Sequence, residues 1–179
     1  MPLSTRSRLC TGDLVIYSVL GSVMFASKIA MAALPNIHLL ALFIASCTLT
    51  YRAKALIPLY VYVMLDGLFG GFSFWWFPYL YIWLPLWLAF MLFGKLRLPT
   101  ALRAPLYMAL CGLHGLSFGT LYAPAQALMF GLGFKAMLAW IIAGLPFDII
   151  HAISGLASGA LVLPLSSLLQ KLEKRRHNP

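Results

Sequence analysis

Five ionisable side chains stand inside otherwise apolar runs: Lys28, Asp66, His114, Asp148 and His151. A sixth, His38, falls at the edge of one. A charge held in hydrocarbon is costly, so each is a candidate for ligand binding, ion pairing or proton handling. Lys28 offers a cation for a carboxylate, or a group that orients an acidic partner. Asp66 and Asp148 offer hydrogen-bond acceptors. Asp148 and His151 are three residues apart and share a helix face. Beside these stands an aromatic run, Phe72-Ser73-Phe74-Trp75-Trp76-Phe77-Pro78-Tyr79-Leu80-Tyr81-Ile82-Trp83. A membrane-interface belt accounts for two or three such rings. Trp75 and Trp76 at its centre are expected to stack on a flat organic ligand.

The elements that must position these groups follow from composition. Hydrophobic residues make up 62% of the 179 residues and charged residues 9%, too little charge to cover a soluble domain of this size. Apolar stretches of ~20 residues are long enough to cross a bilayer. The expected spans are 13–34, 37–51, 54–71, 75–93, 103–123 and 144–169, within a single membrane domain over 1–179. Residues 124–143, interrupted by Pro124, Gly131, Gly133 and Gly144, read as an outer hairpin that re-enters or lies in the interface. Of 13 Lys and Arg, eleven cluster at Arg6/Arg8, Arg52/Lys54, Lys95/Arg97/Arg103 and Lys171/Lys174/Arg175/Arg176. The intervening connections are nearly free of them. Short basic loops stay in the cytoplasm. The expected fold is therefore an all-α integral membrane protein, a six-transmembrane-helix bundle with both termini cytoplasmic.

That topology gives the polar groups a depth. At 1.5 Å per residue, Lys28 lies roughly 9 Å from the outer end of its span, Asp66 and Asp148 roughly 6 Å, and His151 roughly 10 Å. Lys28, Asp66, Asp148 and His151 thus share the outer leaflet, while His114 sits nearer the middle. A permanent structural ion pair is one use for them. A pocket is the other, since one lysine facing two aspartates leaves a carboxylate to spare.

Several functions are disfavoured. The chain has no GxxxxGK[ST] or GxGxxG phosphate loop, no HExxH and no GxSxG, so neither a nucleotide site nor a catalytic constellation is expected. Cys10, Cys47 and Cys111 have no metal-binding or disulfide spacing, and no metal or cofactor is expected. The net charge of +9 is spread over four loops. That suits anionic headgroups rather than nucleic acid. Ala30-Met31-Ala32 resembles a signal-peptide cleavage site, but the preceding run is too long and Lys28 interrupts it, so no cleavage is expected.

Span 1 also carries small residues every fourth position: Ser18, Ser22, Ala26 and Ala30. Such a stripe lets a helix approach closely, within this chain or from another. Taken with Leu34-Pro35-Asn36-Ile37-His38, Asp66-Gly67, the Gly70–Trp83 run and Gly144-Leu145-Pro146-Phe147-Asp148-Ile149-Ile150-His151, the chain resembles a substrate-binding S component of an energy-coupling factor (ECF) transporter. The resemblance extends over essentially the whole chain. It implies a six-helix bundle in a prokaryotic cell membrane that captures a water-soluble vitamin or precursor under the outer loops. It also implies docking through span 1, with Ser22, Ala26 and Ala30 as partner-binding residues, on a transmembrane T component with two ATPases. The chain itself would then not be an enzyme. The pocket residues expected from the residues alone are Lys28, Asp66, Trp75, Trp76, Asp148 and His151. Two other readings are a small intramembrane enzyme using Asp148 and His151 as acid and base, and a homo-oligomeric channel associating through the small-residue stripe.

Overall fold

The computed structural model describes residues 9–177; Arg6 and Arg8 of the first basic cluster lie outside the described residues. Among the described residues the protein is all-helical. Eight α-helices run α1 (Thr11–Ala30), α2 (Leu40–Tyr51), α3 (Leu56–Gly70), α4 (Leu84–Phe93), α5 (Thr100–Leu116), α6 (Phe118–Phe130), α7 (Phe134–Gly159) and α8 (Val162–His177). Short 3-10 turns occupy Arg52–Ala55 and Phe77–Leu80.

Three continuous helical stretches, Thr11–Ala30, Leu40–Gly70 and Phe134–Gly159, are long and apolar enough to cross a membrane. Phe77–Phe93 is a shorter apolar stretch. Only 22% of an apolar 18-residue window in the first stretch and 11% of one in the third is buried within the protein, and the outward side chains include Val15, Val19, Ile142 and Ile153. An apolar exterior of this extent belongs against lipid. The protein thus has several long apolar helices, consistent with a multi-pass membrane protein.

The stretch Leu40–Gly70 is folded rather than straight. Drawn as one helix it would separate Leu40 from Tyr62 by about 33 Å, yet both line one cavity together with Lys28. The reversal falls at Arg52, whose φ is 56°. This is the left-handed region that a non-glycine residue enters only when the surroundings hold it there. What holds it is visible. The Arg52 guanidinium donates to the carbonyls of Phe90 and Met91 at the end of α4, and Trp87 Nε1 donates to the Arg52 carbonyl at 3.3 Å.

These contacts define two ends of the bundle. At the basic end, Asp13 in the first turn of α1 accepts the Cys10 N–H and pairs with Arg176 of α8 and Lys54 of the α2–α3 turn. An acid there also suits the positive end of the helix dipole. At the histidine end, Lys28 of α1 meets Asp66 of α3. His38 there pairs its backbone with Ser154 of α7, N–H to Oγ and Oγ to C=O, each at 3.1 Å.

The tightest pairing is α5 against α7. Gly112 on α5 lies against Gly155 on α7, Gly115 against the His151–Ala152 backbone and Gly159 against that of Tyr107–Met108, and a Cβ at any of the four would strike the opposite helix. Gly155-xxx-Gly159 is a small-xxx-small spacing of the kind that lets membrane helices touch backbone to backbone. The segment 124–143 is helical on both sides of a break at 131–133. α6 ends at Gly131, in the left-handed conformation (φ 65°) that suits a glycine helix stop. α7 then starts at Phe134 and runs unbroken for 26 residues through Gly144 and Pro146. The expected start of span 6 at 144 is therefore ten residues late. A proline inside a membrane helix need not end it, because neighbouring groups satisfy the freed carbonyl. The break comes at Ala160–Leu161, between α7 and α8.

Candidate ligand-binding site

Two adjoining cavities open at the histidine end. The larger, about 500 Å³, lies between α6 and α7. The smaller, about 380 Å³, lies under the 31–39 loop, against α1, α3 and the start of α4. Asn36, Phe118 and His151 line both. Asn36 sits at φ 64°, a conformation that asparagine tolerates better than most residues.

Helix periodicity supplies the walls of the larger cavity. Phe118, Tyr122 and Gln126 recur every four residues along α6. Trp140, Gly144, Asp148 and His151 recur every three or four along α7. The rings form a stack: Trp140 on Tyr122 (centroids 5.9 Å, 16°), Tyr122 on Phe118 (6.2 Å, 27°) and Phe118 on His151 (4.6 Å, 29°). Asp148 is fully buried. Its Oδ1 accepts the Gly119 N–H at 2.9 Å, and its Oδ2 has no partner.

In the smaller cavity His38 Nε2 lies 3.1 Å from His151 Nδ1. One ring must donate and the other accept, so the pair cannot carry a proton on both facing nitrogens. His38 Nδ1 and Trp83 Nε1, on the same wall, are buried without partners. So is the Tyr62 hydroxyl, close to Asp66 yet without a well-formed hydrogen bond. Lys28 lies at the rim. Its Nζ donates to both Asp66 oxygens, at 2.6 and 2.7 Å, and sits 5.5 Å from the Trp75 ring centre and 5.2 Å from that of Tyr79.

The six expected site residues therefore divide. Asp148 and His151 share the larger cavity, and His151 and Lys28 share the smaller. Asp148 and His151 form no hydrogen bond or ion pair with each other. Asp66 lies behind Lys28 and lines neither cavity. Trp75 packs over Lys28, whereas Trp76 turns the other way. It is buried against Gly67 and Phe72 and donates to the Val63 carbonyl at 2.8 Å, which makes it a brace for the end of α3. His114 is likewise satisfied, at 2.8 Å from the Ile82 carbonyl and stacked on Trp83. Asn36, His38, Trp83, Phe118, Tyr122, Gln126 and Trp140 are wall residues that were not expected.

On α1, Ser18, Ser22, Ala26 and Ala30 are all exposed, while Tyr17, Gly21 and Met24 turn inward. The small-residue stripe is thus not consumed inside the chain. No protein-family model, curated protein or solved structure matches this sequence.

Proposed function

We propose that the protein is a membrane-embedded capture subunit for a small water-soluble micronutrient, of the S-component type, working with a T component and two ATPases. The observation that carries this is the grouping of unsatisfied polar atoms. Among the described residues, four buried side-chain N or O atoms have no partner: His38 Nδ1, Tyr62 Oη, Trp83 Nε1 and Asp148 Oδ2. All four belong to residues on the walls of the two cavities. Each would cost about 1–3 kcal/mol if left unmet. Their placement on one surface is that of a site whose hydrogen bonds are completed by its contents.

In this reading the chain makes six spans of a prokaryotic cell membrane, with the basic end cytoplasmic and the cavities facing out. The Asp13–Arg176 pair supports it by holding the start of α1 and the end of α8 on one side. The sequence resemblance supports the partners, and the exposed stripe on α1 gives them a surface to meet. Affinity purification of the tagged chain from its native membrane is expected to recover a transmembrane partner and ATPase subunits. Recovery of a homo-oligomer alone, or turnover of a lipid substrate by the purified chain, would contradict the proposal.

A further inference from the structure

We infer that the guest of the larger cavity carries a positive charge, held between the Asp148 carboxylate and the aromatic wall of Phe118, Tyr122 and Trp140. The inference deepens the capture reading and rests on it.

The charges around the two cavities do not balance. Lys28, the cation at the smaller one, is already gripped by both oxygens of Asp66, at 2.6 and 2.7 Å. No lysine or arginine lines the larger cavity. Asp148, which does, is 2% exposed and makes no ion pair among the described residues. Its one hydrogen bond is from the Gly119 N–H, and its second oxygen is unmatched. A buried carboxylate is retained when something compensates it. His151, on the same wall, turns its Nδ1 to His38 rather than to Asp148.

The rest of the wall fits the missing partner. Phe118, Tyr122, Trp140 and Phe147 line the cavity together with the carboxylate, and an aromatic face left open at the end of such a wall attracts a desolvated cation through its quadrupole. An anion would be repelled by Asp148, and a neutral guest could at most donate a hydrogen bond to Oδ2, leaving the buried charge without a counter-charge. The chemical class is therefore an organic ammonium or a charged heteroaromatic ring. The chain also makes room for the carboxylate. A Cβ at Gly119 would stand 2.5 Å from Asp148 Oδ2, so glycine is the residue that lets the acid sit there.

The test uses the full chain in lipid nanodiscs and three ring probes that differ mainly in charge: 1-methylpyridinium, pyridine and benzoate. Binding is measured by saturation-transfer NMR at mildly alkaline pH, where pyridine is neutral. The expected result is that 1-methylpyridinium binds about tenfold more tightly than pyridine, with benzoate weakest. Asp148→Asn should erase the difference while leaving the melting temperature unchanged or raised, since it removes an unpaired charge. Gly119→Ala, which keeps the acid but displaces it, should weaken the same preference and serves if the asparagine variant does not fold. Equal binding of pyridine and 1-methylpyridinium would show that the carboxyl is neutral in the cavity and would overturn the inference. So would tighter binding of benzoate, or a cation preference that survives Asp148→Asn. In those cases the cavity still binds ring solutes and the capture reading stands. If none of the three probes binds, both fall.

Discussion

Replacing Lys28 with alanine is expected to destabilise the protein by about 3 kcal/mol, the low end of the range for removing one partner of a buried ion pair. The low end applies because the two partners are unequally covered: the Lys28 side chain is 32% exposed and that of Asp66 only 5%. Removing the lysine leaves a carboxylate between α1 and α3 with no counter-charge. Trp75 and Tyr79, which pack over the ammonium, lose their cation as well. The double variant Lys28→Met/Asp66→Leu should recover most of the loss, because replacing both members of such a pair with apolar groups is often neutral. Thermal unfolding in detergent micelles reads both variants. An unchanged melting temperature for Lys28→Ala would mean that the pair does not tie α1 to α3, and would return Lys28 to the pool of ligand contacts.

Ala26→Trp should reduce uptake of the native solute to background while leaving solute binding by the purified chain unchanged. The buried side of α1 carries Tyr17, Gly21 and Met24, and Gly21 is so close to Val61 and Pro58 of α3 that a Cβ would collide. Ala26 is exposed, so an indole there strikes nothing inside the chain. It would fill the small-residue stripe on which a partner helix is proposed to lie. Radiolabelled uptake in cells, paired with partner recovery by affinity purification, measures the effect. Uptake at the wild-type level would show that the stripe is not the docking surface.

The all-helical class and the long apolar helices were legible in the sequence because hydrocarbon imposes simple rules. The basic cluster Arg52/Lys54 marks a true reversal of the chain, and the placement of Lys28 and Asp66 toward the same end of their helices anticipates their contact. Pro124 and Gly144 were misleading: they read as interruptions, whereas α6 passes through the first and α7 through the second. Of the aromatic run, Tyr79 and Trp83 line the smaller cavity and Trp75 packs over Lys28. Trp75 and Trp76 are adjacent, and which one faces Lys28 depends on how the chain turns after Gly71, whose φ of 85° no periodicity reveals. The walls of the larger cavity did leave a signal. Phe118, Tyr122 and Gln126 at four-residue spacing, opposite Trp140, Gly144, Asp148 and His151, form facing helical stripes. They become visible only once residues 118–147 are read as a helical pair rather than as a connection. His38 stood out only as an ionisable residue at the edge of an apolar run, because its role depends on a loop that folds over the cavity to reach Ser154 and His151.

The central claim is that the cavities at the histidine end hold a small solute. Native mass spectrometry of the chain, extracted from its membrane without washing and released from the detergent in the gas phase, tests it most directly. The wild-type protein is expected to carry one small molecule per chain. Gly144→Trp is expected to lose it, since Gly144 lines the larger cavity and a Cβ there meets no atom within 4 Å, so the indole has an open path into the space the solute would fill. A wild-type spectrum with no added mass, or an added mass equally present in Gly144→Trp, would contradict the account.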